Sequence, residues 1–198
     1  MKKVLVLGAS GLLGQSIVNK LAGAAEVIGA SMSDAEYPVD ISNPESLQAL
    51  LAKVGKVDAI ICTAGVVNFV PWQQATDADW QFGISNKMMG QINLLRFGTQ
   101  YVNEGGVIVV TTGILAQNPI PGSSVVSAVN AAVESVVHAA SLEVEGVRFN
   151  AVSPGWVKET MEAMGMDATP GLPATEVAQV YVDLIEHSTS GEIHLAVK

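Results

Sequence analysis

Val4 to Leu7 is an unbroken apolar run, the pattern of a strand buried on both faces, and it ends in a glycine-rich turn. Beyond the turn Leu13, Ile17, Val18 and Leu21 recur at helical spacing, which predicts a helix over Leu12–Leu21, and Ala25–Ala30 reads as the next strand. The opening unit is therefore βαβ. Tyr37–Ile41 is short and extended, and Asn43-Pro44-Glu45 starts a helix, because a proline in the first turn gives up no needed N–H. Val57–Thr63 is another buried strand. A helix over about Asp77–Val102 precedes a strand over Gly106–Thr112 with the core Val107-Ile108-Val109-Val110. Ser123–Glu145 is predicted helical despite its valines, since Ala128, Ala131, Ala132, Ala139 and Ala140 extend it well beyond strand length. Val147–Val152 as a strand, a proline-bearing stretch from Ser153 to Pro173, a helix over Ala174–His187 and a strand over Glu192–Val197 complete the chain. Strand and helix alternate without a linker or a fixed-period repeat, which predicts one α/β domain over residues 1–198, a doubly wound parallel sheet with helices on both faces.

Composition supports a large buried core. Of the 198 residues 49% are apolar and only 15% charged, which excludes a disordered chain. The mean hydropathy of +0.37 raises the question of a membrane span. Gly, Ser, Asn or a charge interrupts each apolar run before the roughly 18 residues such a span needs, so a soluble protein without a membrane partner is expected. Ten Lys and Arg against 19 Asp and Glu give a net charge of -9, which argues against a nucleic-acid partner. One cysteine, Cys62, excludes an internal disulfide and a thiolate metal cluster, and the opening Met1-Lys2-Lys3-Val4-Leu5 run lacks a secretory cleavage pattern. A cytoplasmic location is the expectation.

The first loop reads Gly8-Ala9-Ser10-Gly11-Leu12-Leu13-Gly14, with a glycine at every third position between a strand and a helix. In that context the backbone can approach a pyrophosphate, and the helix start offers free N–H groups and the positive end of its dipole. Gly8, Ser10, Gly11, Leu12, Leu13 and Gly14 are the candidate contacts for a dinucleotide. The alternative is a tight turn that binds nothing. A carboxylate after the second strand would hold the ribose of NAD and repel the phosphate of NADP, but this chain has Ser31-Met32-Ser33 there. Ser31 joins the candidate contacts, and NADP is preferred over NAD, although no Arg or Lys stands beside it.

Further motifs follow in order: Val39-Asp40-Ile41, Val57-Asp58 leading into Cys62-Thr63-Ala64-Gly65, Gly105 to Thr112, and Val147-Arg148-Phe149-Asn150-Ala151-Val152-Ser153-Pro154-Gly155-Trp156-Val157 with Thr160 beyond. With these the chain resembles the short-chain dehydrogenases and reductases over nearly its whole length. The resemblance implies an NAD(P)-dependent oxidoreductase that moves a hydride between nicotinamide and a small carbonyl or alcohol. It implies that Asp40 and Ile41 lie beside the adenine, Ala64 and Gly65 form the turn after the third long strand, and Pro154, Gly155, Val157 and Thr160 run beneath the nicotinamide. A short substrate lid over residues 156–173 is implied too. So is a homodimer or homotetramer paired along the two long helices. The glycine spacing is closer to the family's extended type than to its common one.

The catalytic positions depart from the family. Its Tyr-x-x-x-Lys motif falls on Val126-Ser127-Ala128-Val129-Asn130, and none of Tyr37, Tyr101 and Tyr181 stands at a matching place. Valine has no proton to give. Thr112 is the stand-in for the family's serine, with Thr111 or a slip onto Gly113 as alternatives. In Asn86-Lys87-Met88-Met89-Gly90 the spacing sets Lys87 on the family's active-site asparagine, as if lysine and asparagine had changed places. Lys87 is either a solvated helix residue or a cation that stabilises oxyanion charge or donates a proton. A dinucleotide-binding sensor or regulatory subunit without catalysis is the competing reading. His138 reads as a packing or subunit-contact residue, His187 and His194 have no ligand-spaced partners, and no metal is expected. The methionines Met161, Met164 and Met166 fall in the implied lid.

Overall fold

Alternate residues of the same strand feed two separate cores, which is how these apolar runs become central strands. Leu5, Leu7, Ile60, Ile108 and Val110 pack with Leu47, Leu51, Leu94 and Val133 on one face. Val4, Val6, Ile61, Val107 and Val109 pack with Ile17, Val177, Tyr181 and Leu184 on the other. The computed structural model describes residues 1–34 and 36–198. Its strands are β1 (Lys2–Leu7), β2 (Ala25–Ala30), β3 (Val57–Cys62), β4 (Val102–Thr111), β5 (Val147–Pro154) and β6 (Glu192–Ala196). They form one parallel sheet in the order β2-β1-β3-β4-β5-β6. Helices α1 (Leu12–Leu21) and α7 (Ala174–Glu186) cover one face, and α2 (Pro44–Val54), α4 (Met89–Gly98) and α5 (Ser124–Glu143) cover the other. This is the expected doubly wound sheet. Because β2 and β3 lie on opposite sides of β1, the loops after β1 and β3 diverge and leave a crevice at the carboxyl ends of the strands.

Several boundaries follow local chemistry. Asn43 caps α2 by accepting a hydrogen bond from the Ser46 N–H at 3.0 Å, with Pro44 in the first helical position. The extended stretch Tyr37–Ile41 is not a strand: it makes one bridge, between Ser31 and Pro38, and proline has no N–H to carry a ladder on. The helix expected over Asp77–Val102 is broken. It consists of α3 (Asp77–Gly83), capped by a reciprocal Thr76–Asp79 box, a π-helical turn over Ile84–Met88, α4, and a 3₁₀ turn over Thr99–Tyr101. Val102 already belongs to β4, which pairs with Val57, bulges outward and resumes its ladder at Ala59 and Val107.

Helix α5 is, by length and composition, long and apolar enough to cross a membrane, against the expectation that every apolar run is too short. One face of it is core: Val125, Val129, Val133 and Val137 are buried, together with Asn130 and Glu134. After β5 the chain forms a closed flap. The Lys158 N–H donates to the Leu172 carbonyl and the Leu172 N–H to that of Trp156, around the short helix α6 (Lys158–Ala163).

Candidate active site

The crevice holds two cavities that share Gly65. The first, about 290 Å³, is lined by Gly8, Ser10, Gly11, Ser31, Met32, Val39, Asp40, Ile41, Thr63, Ala64, Gly65, Val66 and Asn86. The glycine loop makes its floor. Gly8 sits at φ +84°, and a Cβ there would come within 2.8 Å of Thr63 Oγ1 and 2.9 Å of the Ala64 nitrogen. Gly14 packs α1 onto the loop so closely that a Cβ would lie 2.0 Å from the Gly8 carbonyl oxygen. The N–H groups of Leu12, Leu13 and Gly14 donate to no carbonyl among the described residues, and Gly11 offers no side-chain cap. These free donors beside a backbone-lined floor suit a pyrophosphate. Asp40 engages only its Oδ1, which accepts from the Ser42 N–H and hydroxyl. Ser31 and Met32 line the far end, and no Lys or Arg among the described residues does.

The second cavity, about 400 Å³, is lined by Leu13, Gly65, Phe69, Lys87, Thr111, Thr112, Gly113, Ile114, Leu115, Val126, Asn130, Pro154, Gly155, Trp156, Val157 and Thr160. Lys87 is its one charged lining residue among those described. The π-helical turn that carries Lys87 presses its stem on Gly65, where a Cβ would lie 2.8 Å from Lys87 Cγ. Its ammonium donates to the Thr112 carbonyl at 3.1 Å. Burial draws the Lys87 ammonium down to about 8 from the usual lysine range, while Cys62 and Glu134 oppose that shift. The Cys62 thiol is itself pushed up to about 12 by burial and stays neutral near pH 8. The Thr112 hydroxyl donates to Glu134 Oε1 at 2.8 Å, and the Gln117 side-chain amide donates to Glu134 Oε2. Asn130 is buried, and its Oδ1 has no hydrogen-bond partner, an acceptor in the cavity wall that a ligand donor would satisfy.

The sequence model of the family described as Enoyl-(Acyl carrier protein) reductase matches residues 11–186. The chain belongs to the short-chain dehydrogenase/reductase family. It is 30% identical to 2,3-dihydro-2,3-dihydroxybenzoate dehydrogenase of Escherichia coli (strain K12) over 154 residues, which are 67% of this chain and 61% of that protein. The chain thus spans about three fifths of that relative's length. Among solved structures, the protein lin1944 from Listeria innocua is 33% identical, with a TM-score of 0.94 over 98% of this chain and 99% of that one. A small-chain dehydrogenase in complex with NADPH, 24% identical, has the same fold with a TM-score of 0.90 over 99% and 96% of the two chains.

Within this short-chain dehydrogenase/reductase, most residues singled out from sequence come together in the crevice. Leu12 and Gly14 line neither cavity: Leu12 is exposed, and Gly14 is buried where it packs helix on loop. Val126 and Asn130 share one face of α5 and both line the second cavity, so no tyrosine or lysine projects from there. Tyr181 lies under the sheet, its hydroxyl 2.7 Å from that of Thr111, which also donates to the Cys62 carbonyl. Of the three positions weighed for the serine, Gly113 is the one that faces Asn130, since a Cβ there would stand 3.0 Å from Asn130 Nδ2. The Thr112 hydroxyl is committed to Glu134 instead. No group of three or more His, Cys, Asp or Glu suited to a metal occurs among the described residues. His138 binds the Gly191 carbonyl, away from the crevice.

Three contributors escaped the sequence reading. Gln91 is fully buried and ties the ends of two strands, donating to the Ala64 carbonyl and accepting from the Thr111 N–H. Asn86 accepts from the Val66 N–H at 2.8 Å and holds the loop after β3 against the first cavity. Glu134 supports Thr112 from below. Its signal was present in the sequence: a carboxylate one and two helical repeats past Asn130 and Val126 on an otherwise Val/Ala helix.

Proposed function

We propose that the protein is an NAD(P)-dependent oxidoreductase acting on a small apolar carbonyl or alcohol, with Lys87 as its acid and base. The observation that carries this reading is a lysine ammonium drawn down to about 8 in an apolar cavity at the carboxyl end of the sheet. The Gly8–Gly14 loop and the start of α1 would hold the dinucleotide's pyrophosphate, Asp40 and Ile41 its adenosine end, and Pro154, Gly155, Val157 and Thr160 its nicotinamide end. When bound, it supplies or accepts the hydride. The relative solved with NADPH supports a nicotinamide nucleotide, and the serines after β2, with no acid there, favour NADP over NAD. In the reductive direction Lys87 donates a hydrogen bond and then its proton to the substrate oxygen, and the resulting amine recovers a proton from water at the open cavity mouth. Thr112 orients Lys87 through its carbonyl.

Residues 156–173 serve as the lid, since Trp156, Val157 and Thr160 line the second cavity and the Trp156–Leu172 and Lys158–Leu172 hydrogen bonds tie the two ends of the flap together. The protein works as a homodimer or homotetramer in a reducing cytoplasm. One observation favours a second reading, a dinucleotide-binding sensor or regulatory subunit: Val126 leaves no hydroxyl where the family has its tyrosine, and the Thr112 hydroxyl is committed to Glu134. The two readings separate on a broad carbonyl and alcohol panel with NADPH and NADH. For the enzyme, Lys87→Ala is to lower turnover by about a hundredfold or more while nucleotide affinity changes by only a few-fold. Wild-type protein inert across the panel, with Lys87→Ala changing neither binding nor stability, establishes the non-catalytic binder.

A further inference from the structure

Beneath the second cavity lies a carboxylate for which the reaction proposed above has no use. Glu134 is 7% exposed, on the face of α5 that also carries Val126 and Asn130. Both its oxygens accept hydrogen bonds, one from the Thr112 hydroxyl at 2.8 Å and one from the Gln117 amide. No Lys or Arg is bonded to it among the described residues. A buried carboxylate without a direct cation is costly unless hydrogen bonds satisfy it, and here the satisfying donor on one side is Thr112, the residue that holds Lys87. Its neighbour across Thr112 is Lys87: the hydroxyl of Thr112 faces Glu134 and the carbonyl of the same residue holds the ammonium. Thr112 is clamped from both sides.

We infer that Glu134 is the positioning residue of this site, fixing Thr112 so that its carbonyl anchors Lys87 and holding the lysine in its charged form across the threonine. The inference rests on Lys87 being the proton donor of the proposed reaction. Two opposed effects set the lysine's state. Burial disfavours the ammonium, and Cys62 and then Glu134 oppose that, leaving Lys87 near 8. The other titratable group that faces Lys87, Cys62 at the end of β3, is a neutral thiol in this range, because burial pushes it up to about 12. With that thiol neutral, Glu134 on α5 is the anion linked to Lys87 through Thr112. Relay of a proton through Thr112 is not part of the role, since Lys87 meets the carbonyl of that residue and not its hydroxyl. Glu134 acts through position and field alone.

The test needs no knowledge of the substrate. The rate at which a small amine-acylating reagent labels Lys87, followed by mass spectrometry against pH, gives the titration midpoint of that side chain in the intact protein. Glu134→Gln, close in shape but uncharged, is to move the midpoint down by about half a pH unit, which at neutral pH is about threefold faster labelling. Nucleotide affinity stays within about twofold, turnover falls with KM little changed, and the high-pH limb of the activity profile moves to lower pH. Glu134→Asp keeps the charge but withdraws it from Thr112, so its midpoint stays at the wild-type value while turnover falls. An unmoved midpoint in folded Glu134→Gln overturns the inference, as does a lowered midpoint with intact turnover in Glu134→Asp, which carries the test alone if the Gln variant fails to fold. Labelling that shifts as expected in a protein inert on every carbonyl would retain the coupling and discard the oxidoreductase reading, so the two failures are told apart.

Discussion

Among single residues, the proposed chemistry rests on one buried cation, Lys87. Because Lys87 is drawn down to about 8, its acid form is present below that pH and is lost as pH rises through it. Carbonyl reduction is therefore expected to hold up to neutral pH and fall tenfold per unit above about 8 in kcat/KM, a limb that Lys87→Ala abolishes with the activity. Asn130→Lys adds a like charge in the same cavity, which disfavours the ammonium of Lys87 further, so in that variant the falling limb should appear at lower pH. Thr112→Ala keeps the carbonyl that holds Lys87 and is to cost less turnover than Lys87→Ala. It also strips Glu134 of a charge-assisted hydrogen bond, at about 2 kcal/mol of stability in chemical denaturation.

The elements explain why those residues meet. Loop, helix start and strand ends converge because Gly14 lets α1 approach the Gly8 carbonyl, and no side chain fits between them. Gly14→Ala is expected to cost about 3 kcal/mol and to weaken nucleotide binding together with stability, measurable by denaturation and calorimetric titration. Such elements were legible in the sequence wherever a period or a cap was explicit. The Leu12–Leu21 helix and the Ala25–Ala30 strand keep their predicted bounds, and Asn43-Pro44 starts α2 as read. What escaped were departures from periodicity. A π-helical turn adds a residue that the apolar repeat of Asp77–Val102 does not register, yet that turn aims Asn86 at one cavity and Lys87 at the other. Asn130 was legible as a loss of the family's lysine, whereas its unpartnered Oδ1 and the support of Thr112 by Glu134 depend on packing across helix and strand that no local pattern carries.

For the molecule as a whole, the outer side of α5 shows Ala128, Ala131, Ala139 and Leu142 to the surface beside Ser135 and His138, and a groove between α4 and α5 is lined by Ile92, Leu95, Val136, Ala139 and Phe149 together with Arg96, Thr99 and Glu143. A largely apolar face of this kind is normally covered, and a second copy along the same helices would cover it symmetrically. Light scattering at micromolar concentration should give a dimer or tetramer, and Ala139→Arg should give a monomer that remains folded. Whether the crevice at the carboxyl ends of β1 and β3 holds a nicotinamide dinucleotide is read from the melting temperature with and without nucleotide. With NADPH or NADP at about a hundred times its dissociation constant the midpoint is to rise by about 5–10 °C, and NADH or NAD is to do no better at equal concentration. No rise with any of the four at millimolar concentration would mean that the crevice is not a nicotinamide dinucleotide site.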